Sequence, residues 1–177
     1  MDQTTTPDKS LGLEAAAAPS GLNHLVLNVR DIEAAHRFWT ELVGFRHVGT
    51  LKRRGPNGEP PPVMRFYSGD HGGGTLRHHD IALMERPDLV PASGAPQGFN
   101  HVAISYPSEA AWRARVDSLK ARGVPVHGRI DRGVTKSIHL MDPNGYEVEL
   151  VWELPRDQWA DDIDAALNRA TPLTIDQ

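Results

Sequence analysis

Two histidines occupy matching places in a repeated pattern. Leu22-Asn23-His24-Leu25-Val26-Leu27 returns as Phe99-Asn100-His101-Val102-Ala103-Ile104, apolar-Asn-His followed by an apolar strand in both cases. Late in the chain, Glu147 and Glu149 alternate with Val148 and Leu150. Imidazole nitrogens and carboxylate oxygens are ligands for divalent ions. Two imidazoles and one carboxylate make a facial set that leaves about three positions of an octahedron open. The chain contains no cysteine, so disulfides and thiolate ligands are excluded and any metal is held by N and O atoms. A lone strand histidine is more often packed than ligating; the repeat-matched pair is what points to a metal. By alternation Glu147 and Glu149 share one strand face, and spacing alone does not choose between them.

The elements that would position these groups follow from periodicity. Leu22–Val29 reads as a strand, with His24, Val26 and Asn28 on one face. Asp31 is a helix cap, Ile32, Ala35, Phe38, Trp39 and Leu42 recur at helical spacing, and Gly44 ends the helix. Strands are expected over 45–51, 63–67 and 78–84, separated by the Gly/Pro-rich stretch 54–62 and the glycine loop at 72–74. That glycine loop lacks the strand-then-helix context of a phosphate cradle and reads as a turn. The same order then returns: a strand over 99–105, a helix from Ser108 to Gly123, and strands over 124–130, 137–141 and 146–152. Asp142-Pro143-Asn144-Gly145 forms a tight turn before the last strand. Met64, Phe66, Trp112 and Trp152 read as core.

The repeat predicts an α+β domain made of two tandem βαβββ modules, about 21–86 and 98–153, within a single unit over 21–153. Neither half can bury its sheet alone. The expectation is one curved mixed eight-stranded sheet around a metal cavity, with helices outside. Residues 1–20 read as a disordered or loosely docked tail, and 154–177 as a C-terminal helical tail in which 159–167 packs across the body.

Composition limits the function classes. Across 177 residues the net charge is −4, and Lys52-Arg53-Arg54 is the lone basic cluster, which argues against nucleic acid or an anionic membrane surface as partner. No apolar run approaches the roughly 18 residues that a membrane span needs. No basic segment precedes the alanines at 15–18, so a secretory signal is not expected and a cytoplasmic protein is.

The paired Asn-His strands and the stretch Asp142-Pro143-Asn144-Gly145-Tyr146-Glu147-Val148-Glu149-Leu150 together resemble the vicinal oxygen chelate superfamily. That superfamily includes glyoxalase I, extradiol ring-cleaving dioxygenases, methylmalonyl-CoA epimerase, and the fosfomycin and bleomycin resistance proteins. The likeness covers roughly residues 22–153 and is strongest to one-domain extradiol dioxygenases. It implies His24, His101 and Glu149 as metal ligands, with Fe(II) as the ion and Mn(II) or another divalent metal as alternatives. Glyoxalase I carries a second glutamate at the first-module counterpart of Glu149, a place that falls near Ala82 here. His79, in a His-Asp-x-Ala-Leu setting, resembles the pocket histidine of these dioxygenases and implies a catalytic role, with His78 facing the other way. Asp131-Arg132-Gly133-Val134-Thr135 resembles their Asp-His-Gly-Val-Ser, with Arg132 where an acid–base histidine stands. An arginine keeps its proton at neutral pH, so it could bind an anionic substrate oxygen but not relay protons. His139 stands where a substrate-binding tyrosine is common. The resemblance implies a small aromatic substrate, O2 and a homodimer. The alternatives are another metalloenzyme of the superfamily (isomerase, epimerase or glyoxalase-like lyase) or a metal-free binding or resistance protein.

Overall fold

Strand β1 (Leu25–Val29) buries Leu27 and Val29 and leaves Val26 and Asn28 exposed, the alternation expected of a half-buried strand. The chain belongs to a computed structural model that describes residues 22–52, 54, 57–90, 99–169 and 171–173. After β1, the Asp31 carboxylate accepts from the N–H groups of Glu33 and Ala34 at 2.9 and 3.0 Å and starts α1 (Ile32–Arg37). The helix widens to π pitch over Phe38–Val43 and stops at Gly44, whose φ is 98°. A side chain there would suffer twice: φ is left-handed, and its Cβ would lie 2.5 Å from Nη2 of Arg115. Strands β2 (Arg46–Thr50), β3 (Met64–Ser68) and β4 (Ile81–Glu85) complete the first sheet, in the order β1-β4-β3-β2, with β1 and β4 parallel.

The second module repeats the plan. Strand β5 (His101–Ser105) leads to α2 (Glu109–Ala121), capped by Ser108, and then to β6 (Gly128–Asp131), β7 (Thr135–Met141) and β8 (Glu147–Glu153). The order is β5-β8-β7-β6, with β5 and β8 parallel. A short helix, α3 (Ile163–Leu167), and a two-residue strand, β9 (Thr171–Pro172), follow; β9 pairs with β6.

The fold class and the tandem modules are as the sequence implies. The strands, however, form a four-stranded and a five-stranded sheet rather than one continuous sheet of eight. The strands that would have to adjoin, β1 and β5, are each left at a sheet edge. Hydrophobic periodicity reports which face is buried, not which edges pair, so this separation is invisible in the pattern. The C-terminal helix is also shorter than expected: a 3₁₀ turn over Arg156–Gln158 precedes α3. The tail 1–20, residues 91–98 of the linker and Arg53 lie outside the described residues. Among the described residues no helix is long and apolar enough to cross a membrane.

Both helices cover the same apolar side of the sheets. Trp39 and Val43 from the first module and Trp112, Val116 and Leu119 from α2 share one core cluster with Leu27, Val29, Leu83, Val148 and Leu150. The Trp112 indole N–H donates to the Leu150 carbonyl at 3.0 Å, tying α2 to β8. The modules are also joined by polar bonds. Arg30 N–H donates to Asn144 Oδ1 at 2.7 Å, Tyr146 O–H to the Asn28 carbonyl at 3.0 Å, and Tyr106 O–H to the Val43 carbonyl at 2.7 Å. On the opposite sheet faces, His24, Val26, His101 and Ala103 are exposed.

Candidate metal centre

The asparagine repeated before each histidine has a structural task. Asn23 Oδ1 lies 2.8 Å from Nδ1 of His24, and Asn100 Oδ1 lies 2.5 Å from Nδ1 of His101. An amide oxygen only accepts, so Nδ1 must donate in both rings. The neutral ring then carries its free lone pair on Nε2, which leaves that nitrogen free to bind a metal. The repeat was legible in sequence; this orienting role of Asn23 and Asn100 was not assigned there.

The second module gathers its acidic and imidazole groups tightly. His101 Nε2 stands 3.2 Å from Glu149 Oε2, and Glu149 is buried. With Nδ1 of His101 donating to Asn100, the neutral ring turns a lone pair toward a carboxylate oxygen. Two acceptors at that distance need a cation or a proton between them, and the spacing fits neighbouring ligands on an ion with bonds of about 2.0–2.2 Å. The residues present therefore fit a divalent ion. The two glutamates take different partners. Glu149 faces His101, whereas Glu147 Oε1 lies 2.7 Å from His139 Nδ1 and 3.3 Å from His127 Nε2. Burial pushes the Glu147 carboxyl up, but its bonds to His139 and His127 outweigh that and hold it below the ordinary glutamate range. His139, on β7, is buried between the two acids, with Nε2 3.4 Å from Glu149 Oε1.

In the first module, His24 precedes β1 and its ring centroid is 4.4 Å from that of His79. Phe66 packs against His79 at 5.0 Å and pairs with Ala82, so it lines this face instead of the core. Met64 and Trp152 are likewise only partly buried, while Trp112 is fully buried as expected. His79 falls in the bend before β4, not within the strand as expected, because β4 begins at Ile81. His78 does not turn away: its Nδ1 is 2.8 Å from Nδ1 of His79. Burial, with His24 and His78 adjacent, holds the His79 imidazole below its ordinary value. Asp80 braces this bend. Its Oδ2 accepts from Gly69 N–H at 2.9 Å and Ser68 O–H at 3.2 Å and lies 2.9 Å from His71 Nε2.

Not every sequence candidate converges within one chain. Among the described residues, the one compact group able to hold an ion is His127, His139 and Glu147; His24 does not join His101 and Glu149 in such a group. Arg132 lies in the turn between β6 and β7, its N–H bonded to the Thr135 carbonyl. Thr135 is at the far end of β7 from His139, which puts the two backbones about 13 Å apart at the usual strand rise. His127 escaped sequence reading because it belongs to no repeat and meets its neighbours only through strand pairing.

Comparison with known proteins agrees with this architecture. A family profile described as Glyoxalase/Bleomycin resistance protein/Dioxygenase superfamily matches residues 21–150. A lactoylglutathione lyase from Pseudomonas putida is 27% identical over 87% of this chain and 97% of its own length. An iron-dependent extradiol dioxygenase from Rhodococcus jostii is 25% identical over 78% of this chain, which spans only 45% of that protein. Among solved structures, the fosfomycin resistance protein FosX from Listeria monocytogenes, complexed with Mn(II) and sulfate, superposes with a TM-score of 0.52 at 18% identity. It covers 80% of this chain and 98% of its own.

Proposed function

Because this chain belongs to the glyoxalase/bleomycin resistance protein/dioxygenase superfamily, we propose that it is a metal-dependent, extradiol-type dioxygenase opening a catechol-like aromatic with O2. His24, His101 and Glu149 hold the ion, Fe(II) in this reading, with Mn(II) or another divalent metal as alternatives. The observation that carries the proposal is Ala82. It pairs with Val26 as Glu149 pairs with Ala103, so the first-module counterpart of the carboxylate ligand is a methyl group. A set of three protein ligands would leave coordination positions open, which suits a substrate that presents two neighbouring oxygens. Bound there, the ion supplies Lewis acidity and one-electron chemistry. Both atoms of O2 enter the product, so no external reductant is required.

The chain's own groups then have distinct tasks. Asn23 and Asn100 hold the imidazole tautomers. His79, beside His24 and walled by Phe66, is placed to hold or move a substrate hydroxyl proton. His139, which the sequence suggested as a substrate-binding residue, acts indirectly in this reading: buried between Glu147 and Glu149, it steadies the carboxylate that holds the ion. Arg132 supplies a fixed positive charge for an anionic group remote from the reacting ring.

The missing convergence of His24 with His101 and Glu149 is met by a second copy. Strands β1 and β5 are both sheet edges, and both expose the faces that carry the ligands. A homodimer that sets β1 of one copy against β5 of the other covers these edges. Each site then takes His24 from one copy and His101 with Glu149 from the other.

A second reading is supported by the full-length match to a lactoylglutathione lyase: a lyase or isomerase that works without O2. Oxygen uptake separates the two. After anaerobic Fe(II) loading, admission of air with a panel of catechols should consume O2 and give a coloured ring-fission product. Turnover of the hemithioacetal of glutathione and methylglyoxal with no O2 uptake on any catechol would favour the lyase.

A further inference from the structure

We propose a second divalent-metal site, built from His127, His139 and Glu147, on the rim of the candidate centre and independent of His24. Their ligand atoms lie within 4.8 Å of one another. The three come from three different places in one sheet. His139 is in β7 and Glu147 begins β8, while His127 immediately precedes β6 and is tied to the sheet by its N–H, which donates to the His139 carbonyl at 3.0 Å. The β7–β8 ladder pairs His139 with Glu149 and Met141 with Glu147, which sets His139 between the two carboxylates. Glu147 Oε1 is the hub, 2.7 Å from His139 Nδ1 and 3.3 Å from His127 Nε2. Ligand atoms around a tetrahedral ion with bonds of about 2.0–2.2 Å are about 3.2–3.6 Å apart, so a shift of several tenths of an ångström seats the ion. Two imidazoles and a carboxylate, with a fourth position open to solvent at half-exposed His127, match the donor set and openness of a zinc-type site.

A second observation points the same way. His139 Nε2 and Glu149 Oε1 are both buried and both lack a hydrogen-bond partner, although they face each other at 3.4 Å. With Nδ1 bonded to Glu147, the neutral ring turns an acceptor toward an acceptor. An ion on Nδ1 leaves the ring proton on Nε2, where Glu149 Oε1 accepts it, and both orphaned atoms are satisfied. The site thus also fixes the free oxygen of the carboxylate assigned to the first ion.

The test is titration of metal-free full-length chain with Zn(II) by calorimetry, and with Co(II) by its visible absorption, for the wild type, His127→Ala and Glu149→Gln. His127 is exposed, and His127→Gln replaces the alanine variant if circular dichroism shows a changed fold. The wild type should bind two ions per chain. His127→Ala should lose one of them or weaken it at least tenfold, the low end of what loss even of an indirect supporting group costs. Glu149→Gln should keep the His127-dependent ion. If His127→Ala and His127→Gln bind Zn(II) with unchanged number and affinity, the second site is wrong, whatever the first site does. If only one ion binds the wild type and His127→Ala removes it, the second site stands and the His24–His101–Glu149 centre fails.

Discussion

Ala82 and Glu149 are structural counterparts: Ala82 stands opposite Val26 in the β1–β4 ladder, and Glu149 opposite Ala103 in the β5–β8 ladder. The same offset that carries His24 to His101 carries Val26 to Ala103. The two modules therefore share the imidazole and differ at the carboxylate. Ala82→Glu should supply the fourth protein ligand. Ala82 is fully buried, so without metal the variant should melt lower than wild type, as an uncompensated buried carboxylate demands. Added metal should restore the loss, with affinity raised about tenfold in chelator competition. O2-dependent activity should fall, since an open position is taken. Unchanged affinity would mean that residue 82 does not face the ion.

Glu149→Gln keeps the shape and removes the charge. Affinity for the ion shared with His24 and His101 should fall at least tenfold, measured by chelator competition, while the His127-dependent ion and the circular dichroism are unchanged. Because His101 faces Glu149 and not Glu147, Glu147→Gln should leave the oxygen-dependent metal in place.

Asp80 gives a pH signature. Burial pushes its carboxyl up, but bonds from His71, Gly69 and Ser68 together hold it below the ordinary aspartate value. A depressed carboxyl adds stability that is present above about pH 4 and lost as pH falls through its folded-state value. Asp80→Asn should therefore destabilise the chain by about 1–2 kcal/mol at pH 7 in denaturant titration. The gap between variant and wild type should close toward pH 3. A gap independent of pH would assign Asp80 a packing role only.

Trp112 anchors α2 to the strand that carries Glu149. Trp112→Phe removes the donor to the buried Leu150 carbonyl and should cost about 1–3 kcal/mol in chemical denaturation. A cost near zero would show that water replaces the indole.

Much of this was readable in the residues, and the reasons are local. Asn-His before an alternating apolar run, Asp31 and Ser108 as caps, and Asp-Pro-Asn-Gly before β8 are short-range signals, and each formed as expected. What escaped depends on contacts between distant residues. The π pitch of Phe38–Val43 has no periodic signature distinct from a helix. The edge positions of β1 and β5, and the meeting of His127, His139 and Glu147, are set by strand pairing. His78 and His79 defied simple alternation because the bend before β4 holds them outside the strand.

In the proposed centre, one ion is held by His24 of one copy and His101 with Glu149 of another. Mixing is the most direct measurement. His24→Ala and Glu149→Gln, each unable to hold the ion tightly alone, are unfolded together, refolded at equal amounts and loaded with Fe(II) under anaerobic conditions. Random pairing makes half the dimers mixed, and each mixed dimer contains one intact site, so about a quarter of the wild-type His24-dependent sites should return, on top of the His127-dependent ion that every dimer keeps. No recovery of tight metal on mixing, from variants that each refold and dimerise, would contradict it.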